Sequence, residues 1–90
     1  MRKIEQAMLK AIANRTNWKC GNTEVKVKSG YAAHVYLHNN HIAEIYDGKP
    51  YANKETLSRW PTPTTKSRLR ALGINVYTKN FTTYLNNEEV

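Results

Sequence analysis

Apolar side chains recur along this chain in two rhythms, one of three to four residues and one of two, and the changes of rhythm divide it into elements. Between Arg2 and Asn14, the positions Ile4, Ala7, Met8, Ala11 and Ile12 follow i, i+3, i+4, i+7, i+8 spacing and line one side of a helix. Arg2, Lys3, Gln6 and Lys10 fall mostly off that stripe. The segment from Asn14 to Asn22 has neither rhythm and contains Gly21, so it reads as a loop, with Trp18 covering the edge of the core.

The rhythm of two begins at Thr23, where Thr23, Val25 and Val27 alternate with Glu24, Lys26 and Lys28. Two further runs come next, Ala32 to His38 and His41 to Tyr46, separated by Asn39-Asn40, a pair that tolerates left-handed dihedrals and predicts a tight hairpin. A two-residue turn there sets His38 opposite His41 and Leu37 opposite Ile42. With a three-residue loop over Ser29 to Tyr31, the residues Val25, Val27, Ala33, Val35, Leu37 and Ile42 share one face. A two-residue loop would group Val25 and Val27 with His34 and Tyr36 instead. The first register separates apolar from polar residues more cleanly and is preferred.

Asp47-Gly48-Lys49-Pro50 reads as a turn, and Asn53 is placed to cap a short helix reaching Arg59. Pro61 and Pro63 break any continuation of that helix. Thr62 fits an N-cap with Pro63 at the first helical position, and the helix should run to Leu72 and stop at Gly73. Leu69 and Leu72 point inward, with Thr65 behind them on the same side. A second hairpin is predicted around Lys79-Asn80, with Ile74, Val76, Thr78, Phe81, Thr83 and Leu85 on one face and Tyr77 and Tyr84 on the other. The order α-β-β-β-α-β-β makes an α+β domain, a mainly antiparallel sheet covered by helices.

Ninety residues suffice for one small domain, here residues 1–90, with a modest core. Fourteen Lys and Arg against seven Asp and Glu give a formal charge of +7, a field that favours encounters with polyanions and acidic surfaces. No run approaches the roughly 20 apolar residues that cross a bilayer, so no membrane partner is expected. The single Cys20 excludes an internal disulfide framework and suits a reducing cytoplasm.

The densest candidate chemistry lies in Trp60-Pro61-Thr62-Pro63-Thr64-Thr65-Lys66-Ser67-Arg68-Leu69-Arg70, and no Asp or Glu occurs from Thr56 to Asn87. N–H groups of a first helical turn, with the Thr64 or Thr65 hydroxyl, can hold phosphate. Lys66, Arg68 and Arg70 on the exposed side can extend the contact, and Trp60 can stack on a base. The Gly-rich run of a P-loop is absent. Lys26, Lys28, His34, Tyr36 and His38 could form a secondary basic and aromatic surface for single-stranded nucleic acid or protein, but a helix packing over Tyr36 and Ile45 is the preferred reading.

The favoured register would also set His34, His38 and His41 on one face. His34 and His38 are about 13 Å apart along a strand, too far for two ligands that must each lie ~2 Å from one metal ion. Only His38 and His41 could share one, so no metal or other cofactor is expected. Glu44 and Asp47 stand at a strand end without a supporting constellation, and spacing assembles no nucleophile–base pair. The chain is therefore read as non-enzymatic.

The run Val35-Tyr36-Leu37-His38-Asn39-Asn40-His41-Ile42-Ala43, succeeded downstream by the stretch from Trp60 to Leu69, resembles a group of small proteins encoded by tailed bacteriophages. Their shared pattern is a Leu-His-turn-Ile-Ala hairpin and a Trp-x-Thr-Pro-Thr-Thr-Lys/Arg-Ser-Arg-Leu stretch, and the resemblance spans roughly residues 22–85. Asn39 stands where a glycine is common, and Arg70 where an asparagine often stands. The resemblance implies a phage origin and expression in the cytoplasm of an infected bacterium, and it brings no catalytic residues. Two functions fit this setting. One is an accessory protein that binds DNA or RNA through the basic helix surface, and the other is a modulator or inhibitor that binds a host bacterial protein.

Overall fold

The computed structural model describes residues 1–90 and has two antiparallel sheets with three helices. Helix α1 (Lys3–Ala13) leads into β1 (Trp18–Cys20), β2 (Thr23–Ser29), β3 (Ala32–Leu37), β4 (Asn40–Tyr46) and β5 (Lys49–Ala52), which form one five-stranded meander in chain order. Helices α2 (Lys54–Arg59) and α3 (Pro63–Ala71) come next, and β6 (Val76–Lys79), β7 (Thr82–Leu85) and β8 (Glu88–Glu89) form a separate three-stranded sheet. The α+β class and the N-terminal helix agree with the sequence pattern. Strands β1, β5 and β8 were not foreseen, and the short helix that Asn53 announced is α2. No helix is long and apolar enough to cross a membrane.

The core lies between one face of the larger sheet and the helices. Met8 and Ala11 of α1, Leu57 of α2 and Leu69 of α3 meet Val25, Val35, Leu37, Ile42 and Ala43 of the sheet, all buried. Thr23 pairs with Leu37, Val25 with Val35 and Val27 with Ala33, which is the register that segregates the apolar side chains. The loop differs in detail: Ser29 pairs with Ala32, and a bulge at Lys28 absorbs the extra residue.

Both predicted hairpin turns sit one residue away from their expected positions. The first centres on His38-Asn39 rather than Asn39-Asn40, both at positive φ, with Leu37 paired to Asn40. Tyr36 pairs with His41 and Val35 with Ala43, leaving Ile42 as the extra residue of a bulge. The bulge lets Ile42 and Ala43 both be buried while His41 stays on the opposite face with Tyr36. In the second sheet the turn is Asn80-Phe81, with Lys79 paired to Thr82. Phe81 is therefore at the tip and outside the apolar face expected for it, while Val76 and Leu85 remain buried.

Helix α3 forms where its caps dictate. The Thr62 hydroxyl accepts from the Thr65 N–H at 3.1 Å, and Pro63 opens the first turn. At the other end, Gly73 at φ +91° donates its N–H to Arg70 and Ile74 donates to Leu69, the paired bonds of a Schellman stop.

Candidate nucleic-acid interface

The basic side chains of α3 all make contacts within the fold. Arg68 is not on the exposed side of α3 as the sequence suggested. Its guanidinium donates from Nη1 to the Glu5 carboxylate at 2.8 Å and from Nε to the Thr23 hydroxyl at 3.1 Å, and the Arg68 and Glu5 side chains are each only 4% exposed. Ser67 donates to the same Glu5 oxygen at 2.6 Å. Burial alone would raise the Glu5 carboxyl, but the Ser67 and Arg68 donors outweigh it and hold the group below its ordinary 4.5. Arg68 thus closes an internal ion pair between α1 and α3.

The remaining residues of that segment are divided among other tasks. Thr65 is buried, with its hydroxyl 2.8 Å from that of Thr62, so it does not serve an external phosphate. Thr64 is half-buried in the first turn. The Lys66 ammonium donates to the Thr78 hydroxyl, and Arg70 donates to the Val76 carbonyl at 3.3 Å, both fastening α3 to β6. Trp60 is 47% exposed and borders a small cleft with His38 and Thr62. His38, drawn into the turn, is accordingly separated from the sheet-face residues with which it was grouped.

The outer face of the five-stranded sheet is different. All three helices pack on the inner face, and no helix covers Tyr36. Ile45, half-buried, pairs with Ala33 on the inner side and does not share the face of Tyr36. Cross-strand pairing sets Lys19, Glu24, Tyr36 and His41 in one row, and Lys26, His34, Glu44 and Tyr51 in the next. Tyr46 and Lys49 continue the face toward β5. Lys28 occupies the bulge of β2 and is exposed.

Aromatic rings cluster at the centre of this face. The His34 and His41 imidazoles stack with centroids 4.5 Å apart and planes within 25°. Tyr36 lies 5.3 Å from His41, and the Lys26 ammonium sits 5.0 Å from the Tyr36 ring centroid. His34 Nε2 is 3.3 Å from the Glu44 carboxylate. His41 Nε2 is buried without a hydrogen-bond partner. Its burial, reinforced by His34 and Lys28 against the opposing pull of Glu44 and the Ala43 backbone, holds the His41 imidazole below its ordinary 6.5.

The pair that meets is therefore His34 with His41, in place of the expected His38 with His41. No group of three or more His, Cys, Asp or Glu side chains converges in a metal-binding arrangement. His41, expected on this face but not counted among its binding residues, stays there: it pairs with Tyr36, and the bulge falls one residue later, at Ile42. Tyr51 was missing because Pro50 disguised β5 as part of a turn. What the face can do chemically is offer flat π surfaces beside ammonium groups, without enclosing a ligand.

The family model described as Kyanoviridae Gp96 protein matches this chain over residues 1–90. No curated protein and no solved structure matches it.

Proposed function

We propose that this chain, which belongs to the Kyanoviridae Gp96 protein family, is a bacteriophage accessory protein that binds single-stranded nucleic acid across the open face of its five-stranded sheet. The observation that carries this reading is the His34–His41–Tyr36 cluster with Lys26 over it, on a sheet face that no helix covers. Unpaired bases present π faces that stack on such rings at about 1–3 kcal/mol each, and lysines at the margin meet the phosphates. Lys19, Lys26, Lys28 and Lys49 supply that margin, against Glu24 and Glu44. Duplex bases are already stacked and offer no free face, so single strands are preferred. The protein acts in the cytoplasm of the infected bacterium, without a cofactor and without catalysing a reaction.

The test is fluorescence anisotropy with labelled single-stranded and duplex oligonucleotides at two salt concentrations. Single strands bind more tightly, the affinity falls as salt rises, and Tyr36→Ala with His41→Ala weakens it. Absence of binding even at low salt refutes the reading. A stoichiometric complex with a host protein, recovered from nuclease-treated lysate and lost in those same variants, would assign the face to a modulator of a host protein instead.

A further inference from the structure

The turn joining β6 to β7 contains an anomaly that folding does not explain. Its centre residues, Asn80 at φ +52° and Phe81 at φ +64°, are both left-handed, as in a type I′ hairpin turn. Such positions suit Gly, Asn and Asp, and the chain uses those types at Asp47-Gly48 and Asn86-Asn87. Phe81 is the one large apolar residue among the positive-φ positions, where a bulky L side chain is strained. Its ring gains nothing in return, because its exposure of 104% equals that of an unfolded chain. The backbone strain at Phe81 is therefore not offset by any burial of its ring.

Lys79 precedes the turn and is exposed, and the Lys66 ammonium reaches the adjoining Thr78. No acidic residue occurs between Thr56 and Asn87. Glu89 borders the shallow recess on one side of Phe81, so an anionic ligand approaches from the Lys79 side. A flat ring that projects from a hairpin tip beside an ammonium matches an unpaired base and its phosphate.

The geometry points to Phe81 as a second base-stacking contact for nucleic acid, separate from the sheet face. This inference rests on the nucleic-acid reading above, and the experiment separates the two. Phe81→Gly relieves the strained turn and removes the ring, so its Tm rises by a few degrees while its affinity for a labelled single-stranded oligonucleotide falls about tenfold or more. Phe81→Tyr keeps the ring and retains the affinity. With a 2-aminopurine base in the oligonucleotide, the quenching change on binding is smaller for Phe81→Gly than for the parent chain. If Phe81→Gly binds as tightly as the parent while Tyr36→Ala binds weakly, the tip contact is overturned and the sheet-face reading stands. If the parent chain binds no oligonucleotide at low salt, both fall. If oligonucleotide affinity is intact in Phe81→Gly but a nuclease-resistant host complex is lost, Phe81 serves a protein contact and the inference is likewise overturned.

Discussion

Helix α3 and the outer face of the five-stranded sheet both carry basic side chains, yet they use them in opposite directions. On α3, Arg68 turns inward to Glu5 and Thr23, while Lys66 and Arg70 reach across to β6. On the sheet, Lys26 lies over Tyr36, the neighbouring rings pack on one another, and His34 also meets Glu44. The helix has the denser run of charge, and the sheet face has the aromatic cluster. Density of charge along a chain therefore says little about availability. What decides is whether the fold supplies an internal partner, as Glu5 does for Arg68.

The sharpest way to break this contrast is to remove Arg68. Arg68→Ala leaves the Glu5 carboxylate buried without its main partner and should cost about 3–5 kcal/mol in urea denaturation. Replacing both members, Glu5→Leu with Arg68→Met, should recover most of that loss, because two matched apolar groups require no desolvation of charge. A stability change under ~1 kcal/mol in Arg68→Ala would return Arg68 to the surface and restore α3 as a candidate interface.

Next in size is binding itself. Tyr36→Ala should weaken single-strand affinity by about 1–3 kcal/mol, whereas Lys66→Gln with Arg70→Gln should weaken it less. An anisotropy titration that returned the reverse order would move the interface from the sheet to the helix. Thr62→Ala should cost ~1 kcal/mol of stability through the lost N-cap, with little change in affinity.

The smallest effect is a pH dependence with two limbs. His41 is depressed in the folded state, so as pH falls below about 6.5 the unfolded chain takes up a proton that the native chain refuses, and stability declines until the folded value is passed. Glu5 acts with the same sign at lower pH: its contribution is complete above 4.5 and is lost as pH falls through the depressed folded value. Denaturation midpoints across pH should show the first limb vanish in His41→Asn while the second persists.

How much of this was legible in the sequence depends on the range of the forces involved. The caps of α3 and the paired face of β2 and β3 are local, so Thr62-Pro63, Gly73 and the alternation from Thr23 to Val27 announced them. The first turn slipped because a bulge costs one residue, and nothing in Asn39-Asn40-His41-Ile42 distinguishes a turn at Asn39-Asn40 from a turn at His38-Asn39 with a bulge beyond it. Phe81 was misplaced for a different reason: its apolar character argued for the buried face, whereas β6 and β7 pair without a bulge around a turn at Asn80-Phe81.

The Arg68 error was different, and a signal did exist. Thr65, Arg68, Leu69 and Leu72 fall at i, i+3, i+4, i+7, which places Arg68 on the buried stripe, and all four are buried. Glu5 likewise lies three residues before Met8 on the inward side of α1. One charge of each sign on two apolar stripes is the mark of an internal pair, visible only when both helices are read together.

That pairing also has a consequence in time. The two residues are separated by 63 positions, and at roughly 5–20 residues per second of synthesis the Arg68 codon is translated about 3–13 s after that of Glu5. Throughout that interval the first helix carries a carboxylate on its inward side with no guanidinium to receive it. Stable docking of the beginning of the chain must therefore await the arrival of its last third, and a nascent chain halted before Arg68 would hold its first helix loosely.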